Sequence, residues 1–417
     1  MPRAGRYIDS IDIGAAALRE GKLCAFPTET VYGLGAHAFD GDAVASIFTV
    51  KGRPRSDPLI VHVATAEAAE ALVRLDAEGL AVMRQLMASF WPGPLTLVAP
   101  AVPELPPIVT AGTGFVGVRQ PNHRRAVELL KAANLPVAAP SANRFGHVSP
   151  TRPEHVMDDL GDHPIFVLMP EGEDARTAGR RSSTAVETCC EVGIESTVLK
   201  VDNANRELLL LRRGGVPEAE LQRWLDASPS TYTLRVQPPK HAAPPPLPPP
   251  SGAGEDAGVA DAPGQEAPGM SLTHYAPDLP SFLLSVGAGG SGSDGGADAR
   301  TPAFAVDTAV VLDYGGRLAH LKPSAKAYRD LSTRADASEA ATAVFEALRW
   351  AEAEAAGGAK CVLLPNVEDG EAAAPAAASA TRSEHAPALA DRLYRAASGR
   401  SARLATDGKR IVVELEE

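Results

Sequence analysis

The sequence predicts an α/β protein built as two unequal units. Apolar runs of strand length alternate with helix-period segments from about Asp12 to Leu225. Clusters of small polar residues repeatedly stand just after those runs, where α/β folds gather their ligands. Near Ser228 the composition turns to proline, glycine and alanine, and a second, shorter α/β pattern follows. With 417 residues, 45% of them hydrophobic, the chain is long enough for two or three domains with sizeable cores. The expected division is 1–227, a linker over 228–300 and a second domain over 301–417.

Along the chain, Asp12 is expected to cap a helix that Gly21 ends. Leu23–Phe26 reads as a strand running into Pro27-Thr28-Glu29-Thr30 and then Val31-Tyr32-Gly33-Leu34-Gly35. This stretch reads either as a capped turn or as a ligand loop whose glycines admit a close approach. A helical pattern over Asp42–Val50 stops at Gly52 and Pro54, and Leu59–Val63 resumes as a strand. Further helices are expected near Glu67–Val73, Leu80–Phe90, Arg124–Ala133, Glu154–Leu160 and Pro217–Leu225. Strands are expected at Leu95–Val98, Phe115–Val118, Pro136–Ala139, Ile165–Leu168, Thr197–Val201 and Glu207–Leu211. Ser149 and Thr151 are placed to cap the helix at Glu154, and Glu171–Glu191 reads as an insertion loop. In the second domain, strands at Ala309–Leu312, Cys361–Leu364 and Arg410–Leu415 alternate with helices Glu339–Ala355 and Ala388–Ala397.

Lys51, Arg53 and Arg55 fall within five positions on a turn stiffened by Pro54 and Pro58. Fixed cations between a helix and a strand suit a polyanion such as a nucleoside triphosphate, and Arg grips phosphate with parallel hydrogen bonds. The same residues would equally form a solvated basic loop. A net charge of −12 excludes a general polyanion-coating surface, so any contact with double-stranded RNA or tRNA is confined to a local patch. The four cysteines, Cys24, Cys189, Cys190 and Cys361, lack metal-site spacing and read as reduced thiols, which fits a cytoplasmic protein. No apolar run reaches membrane-spanning length, and the N-terminal stretch lacks an apolar signal core.

Eight motifs occur in order: FPTETVYGLG (26–35), KGRPRSDPLIVH (51–62), FWPGPLTLV (90–98), VRQP (118–121), APSAN (139–143), SPT (149–151), IESTV (194–198), and GM followed by HYAP (269–277). Together they resemble the threonylcarbamoyl-AMP synthase family, in its long form. The resemblance implies a YrdC-like twisted mixed-sheet catalytic domain plus a smaller Rossmann-like C-terminal domain. It implies synthesis of L-threonylcarbamoyladenylate from L-threonine, bicarbonate or CO2, and ATP, with Mg²⁺ and release of pyrophosphate. The product would pass to a tRNA threonylcarbamoyl-transfer complex. By this resemblance Lys51 and Arg53 serve catalysis and the triphosphate, and Asn143, Thr151, Arg212 and Tyr275 also hold ATP. Thr30, His62, Arg119, Ser141 and Ser196 would hold threonine, Arg119 through the carboxylate. Independently of the resemblance, 269–277 is a specific motif, with His274, Tyr275 and two flanking prolines, inside a bland tract, and is expected to fold over the ATP crevice as a lid.

The sequence departs from the family pattern at Asp57 (usually Asn), Phe115 (usually Thr), Leu272 (usually aromatic) and Arg213 (usually Pro). An Asp at position 57 would repel phosphate unless it binds Mg²⁺ or turns away. Two other readings share features of the chain: an RNA-binding module, and a carbamoyl-transfer domain of the hydrogenase-maturation type. The second would carry acylphosphatase and zinc-finger segments, for which the sequence has no pattern.

Overall fold

The computed structural model describes residues 4–172, 190–228, 230–238, 264–269, 272, 274–284, 304–367, 384–407 and 410–415. The chain divides into two compact units. The first comprises 1–145, 149–239 and 256–270; the second comprises 146–148, 240–255 and 271–417. The expected loop at 171–191 lies almost wholly outside the described residues.

The first unit is built on an eleven-stranded mixed sheet. In spatial order its strands are Arg6–Ile8, Phe166–Leu168, Cys24–Phe26, Gly33–His37, Val137–Ala138, Ile60–His62, Phe115–Arg119, Leu95–Pro100, Thr197–Asp202, Glu207–Arg212 and Thr233–Val236. Side chains alternate between faces along each strand. Cys24, Phe26, Val137 and Leu168 therefore join one core cluster with Leu18, Leu129 and Leu130 of helices Ile11–Arg19 and Arg124–Ala133. Their neighbours Ala25, Ala138 and Val167 join the other, larger cluster, with residues of helices Gly41–Lys51, Ala77–Phe90, Pro153–Leu160 and Glu218–Ala227.

Gly33–His37, expected as loop, is a strand antiparallel to Cys24–Phe26. Its glycines concealed it, yet they are what packing requires. A Cβ on Gly35 would come within 2.8 Å of Val137 Cγ1 and 2.9 Å of Phe26 Cε1. Ser10, not Asp12, caps the first helix, accepting from Ile13 N–H at 3.4 Å. The helix at Pro153 has no side-chain cap; Ser149 Oγ instead donates to buried Glu195 at 2.6 Å.

The second unit carries a seven-stranded sheet in the order Phe304–Ala305, Arg410–Leu415, Ser401–Asp407, Ser281–Leu284, Cys361–Pro365, Ala309–Asp313 and Ala327–Asp330. The last five pair in parallel, and Arg410–Leu415 folds back antiparallel on Ser401–Asp407. Helices Ala337–Ala353 and Ala386–Ala396 complete the Rossmann-like pattern. The expected linker, 228–300, thus supplies a strand to each sheet: Thr233–Val236 to the first and Ser281–Leu284 to the second. Among the described residues no helix is long and apolar enough to cross a membrane.

Candidate functional site

The cation turn forms because Gly52 takes a left-handed conformation (φ 61°) and ends the helix at Lys51. Lys51 is buried, and its Nζ donates to the Ser141 carbonyl at 2.6 Å and to the Asn143 carbonyl. Burial, then the Arg53 charge, holds its pKa well below the ordinary lysine value. Arg53 braces its own turn, with Nε on Asp57 O (3.1 Å) and Nη2 on Pro58 O (2.7 Å). Its Nη2 also lies 3.0 Å from the Asp57 carboxylate. Asp57 is fully buried. Burial pushes its pKa up, opposed by the charges of Arg53, Arg212 and Lys51 and by the Gly269 N–H. The departure at position 57 therefore has a counterion within its own turn.

A second group assembles around Arg119, which ends the strand Phe115–Arg119 beside His62. Its Nη1 donates to Thr30 Oγ1 (2.9 Å), its Nε donates to Gly93 O (3.2 Å), and its Nη2 lies 2.7 Å from Glu29 Oε1. Thr28 and Thr30 share a hydroxyl hydrogen bond of 2.8 Å. His62 is buried edge-on against Phe26; burial, then the Arg119 charge, lowers its pKa to about 3, so it is neutral.

A third group links Ser196 Oγ to Thr96 Oγ1 at 2.8 Å. Arg212 donates through Nη2 to Ser196 O (2.9 Å) and Ser196 Oγ (3.2 Å), and through Nη1 to Pro268 O (3.3 Å). Residues 264–269 lie along this part of the first unit: Gln265 N–H donates to Ser56 O at 2.8 Å, and Lys200 pairs with Glu266 at 2.8 Å. Of the other departures, Phe115 lies under the Lys200 ammonium at 3.9 Å, and Arg213 pairs with Glu218 at 3.0 Å.

Thr30, Lys51, Arg53, His62, Arg119, Ser141, Asn143, Thr151, Ser196 and Arg212 all belong to the first unit, and all but the half-buried Ser141 are buried there. Tyr275 belongs to the second. It is fully buried, with the left-handed φ of 65°, and stacks 5.2 Å from Phe345. The guanidinium of fully buried Arg392 lies 5.0 Å from its ring centre, and Asp391 pairs with both Arg392 (2.6 Å) and Arg395 (2.9 Å). The HYAP motif and a helix more than a hundred residues further on thus meet in one core. Sequence reasoning did not assign Glu29, Thr96 or Glu195 to the site. Glu29 had a signal, since it stands between two hydroxyls just past a strand end; Thr96 sits inside an apolar run and reads as strand filler.

A mixed-sheet α/β unit whose loops enclose cations, hydroxyls and a neutral imidazole defines the class: an α/β protein with a buried polar site. Comparisons with known proteins carry the identification further. A family model described as "Telomere recombination", of the Sua5, YciO and YrdC proteins, matches residues 16–188. A second, described as "Threonylcarbamoyl-AMP synthase, C-terminal domain", matches 248–398. A relative named threonylcarbamoyl-AMP synthase from Pyrococcus abyssi is 38% identical over 267 residues, 64% of this chain. That span takes in 65% of the relative's own length, just under two thirds. A relative of the same name from Photobacterium profundum is 30% identical over 179 residues, 43% of this chain and 94% of its own length. The crystal structure of P. abyssi Sua5 complexed with L-threonine is 28% identical, with a TM-score of 0.67 over 96% of this chain and 99% of that one. The chain belongs to the threonylcarbamoyl-AMP synthase family.

Proposed function

We propose that the protein is a nucleotidyltransferase that makes L-threonylcarbamoyladenylate from L-threonine, bicarbonate or CO2, and ATP. Pyrophosphate leaves, and the product serves threonylcarbamoyladenosine modification of tRNA next to the anticodon, through a tRNA threonylcarbamoyl-transfer complex in the cytoplasm. The observation that carries the reading is the pairing, in one unit, of a cation turn at Lys51–Arg53 with a guanidinium and hydroxyl group at Arg119, Thr30 and Ser196. The first suits a triphosphate and the second an amino acid. The fold likeness to a relative whose crystal structure holds L-threonine supports it.

In this reading Arg119 binds the threonine carboxylate, and Thr30, His62, Ser141 and Ser196 surround its remaining polar groups. Lys51, Arg53, Asn143, Thr151 and Arg212 serve the nucleotide; an ATP role for Tyr275, which packs in the core of the second unit, rests on the family resemblance alone. A carbamate oxygen attacks the α-phosphorus in line with departing pyrophosphate. The chain's work is positioning and charge neutralisation. The Ser196–Thr96 hydroxyl pair offers the substrate hydroxyl a partner, which a methyl-sized pocket alone could not match in selectivity.

Mg²⁺, when bound, supplies neutralisation of phosphate charge. Asp57 already faces Arg53, and the described group of three metal-type side chains, His147, Asp278 and Glu352, belongs to the second unit. In this reading a Mg²⁺ would be held chiefly by the nucleotide's own phosphate oxygens. The lid role of 269–277 forms part of the proposal, and replacing the segment with Gly/Ser of equal length should sharply reduce turnover. The proposal as a whole is tested by pyrophosphate release. Release should require both threonine and bicarbonate, and equal release without threonine would refute it.

A further inference from the structure

The buried carboxylate of Glu29 has no part in the roles above. Its side chain is 5% exposed, yet neither oxygen accepts a directed hydrogen bond among the described residues. Its partner there is the Arg119 guanidinium, 2.7 Å from Oε1 and off the hydrogen-bonding direction. A buried carboxylate ordinarily receives several donors, and leaving it short of them is costly. The missing donors are those a ligand would bring.

The chemistry of that ligand follows from the neighbours. Arg119 retains N–H donors beyond those used on Gly93, Thr30 and Glu29. A cation and an anion side by side, each with unused hydrogen-bonding capacity, complement the carboxylate and ammonium of one amino acid. His62, the nearby titratable ring, is neutral and does not compete for the ammonium. Thr28 Oγ and Thr30 Oγ are already committed to each other, to the Val31 carbonyl and to Arg119.

We infer that Glu29 binds the threonine ammonium and takes a proton from it, generating the free amine that forms the carbamate. This rests on the proposed function. The α-ammonium of an amino acid titrates well above neutral pH, so at neutral pH most of it is unreactive ammonium. The N–H bond breaks toward Glu29, giving R–NH2 and a carboxylic acid. The nitrogen lone pair forms a C–N bond to CO2, and one C=O bonding pair moves onto oxygen. A second N–H proton leaves to water, which completes R–NH–COO⁻. Glu29, now neutral, no longer repels the carbamate anion and donates a hydrogen bond to it, returning its proton to solvent after product leaves.

The test compares two directions of the reaction in the full chain. Forward turnover from threonine, bicarbonate and ATP needs the proton transfer. ATP formation from threonylcarbamoyladenylate and pyrophosphate does not, because that nitrogen is already carbamoylated. Glu29→Gln should lower the forward rate by about 100-fold or more, with a much smaller loss in reverse. Its forward rate should climb about tenfold per pH unit below the amine pKa, since neutral threonine alone then reacts. Glu29→Asp should recover part of the rate and the flatter wild-type profile. Equal losses in both directions, with Glu29→Asp no better, would make Glu29 a brace for Arg119 and overturn the inference. So would an unchanged forward rate in Glu29→Gln. A wild-type protein that forms no ATP from the adenylate would count against the proposed function itself.

Discussion

Acidification should destabilise the first unit through His62. The imidazole is 4% exposed, and burial with the Arg119 charge lowers its pKa to about 3. In the unfolded chain it titrates near 6.5. Because the native state binds the proton less tightly, stability is intact above about pH 6.5 and is lost as pH falls toward about 3. At about pH 5 the unfolded state gains about 2 kcal/mol from protonating this one group, against almost nothing at about pH 7.5. The assay is urea unfolding followed by tryptophan fluorescence in a Trp350→Phe background, which leaves Trp91 and Trp224 to report on the first unit. Between those two pH values the unmodified His62 chain should lose about 2 kcal/mol more than His62→Gln, the other titrating groups cancelling in the comparison. Identical pH dependence in the two chains would refute the reasoning, and His62 would then be charged, or accessible to protons, in the native state.

Lys51→Ala and Arg53→Ala should weaken ATP more than threonine in isothermal titration, and Arg119→Ala the reverse; equal losses for both ligands in all three would undo the assignment. Asp57→Asn removes the counterion that lies 3.0 Å from Arg53. It should therefore tighten ATP while lowering the stability of the ligand-free chain by about 1–3 kcal/mol, the cost of an unpaired buried group; unchanged ATP affinity would mean that Arg53 does not meet phosphate. Ser196→Ala should reduce threonine affinity by about 0.5–1.5 kcal/mol, and a variant that binds threonine as before would exclude that hydroxyl from the substrate site.

Strands rich in apolar residues, such as Leu95–Pro100 and Thr197–Asp202, were legible because local pattern and burial agree there. Gly33–His37 was not, since its glycines answer to Val137 and Phe26, residues on other strands. Ser281–Leu284 and Thr233–Val236 hid in a tract whose overall composition reads as linker, although four-residue strands need little sequence to form once a neighbour supplies the ladder. The same limit applies to the site. Lys51, Arg53 and Arg119 announce themselves by charge at strand and helix ends. The groups that hold them lie far off in the chain: Thr30 is 89 residues from Arg119, and Ser141 is 90 from Lys51. Tyr275 and Arg392 likewise meet only through the fold of the second unit.

In the proposed reaction one carbon from bicarbonate joins threonine's nitrogen before adenylylation. This is tested by supplying ¹³C-bicarbonate with L-threonine and ATP, then weighing the adenylate by mass spectrometry. The product should be a threonylcarbamoyl-adenylate carrying the heavy carbon, formed in step with pyrophosphate. An unlabelled threonyl-adenylate, with the carboxylate itself activated, would contradict it.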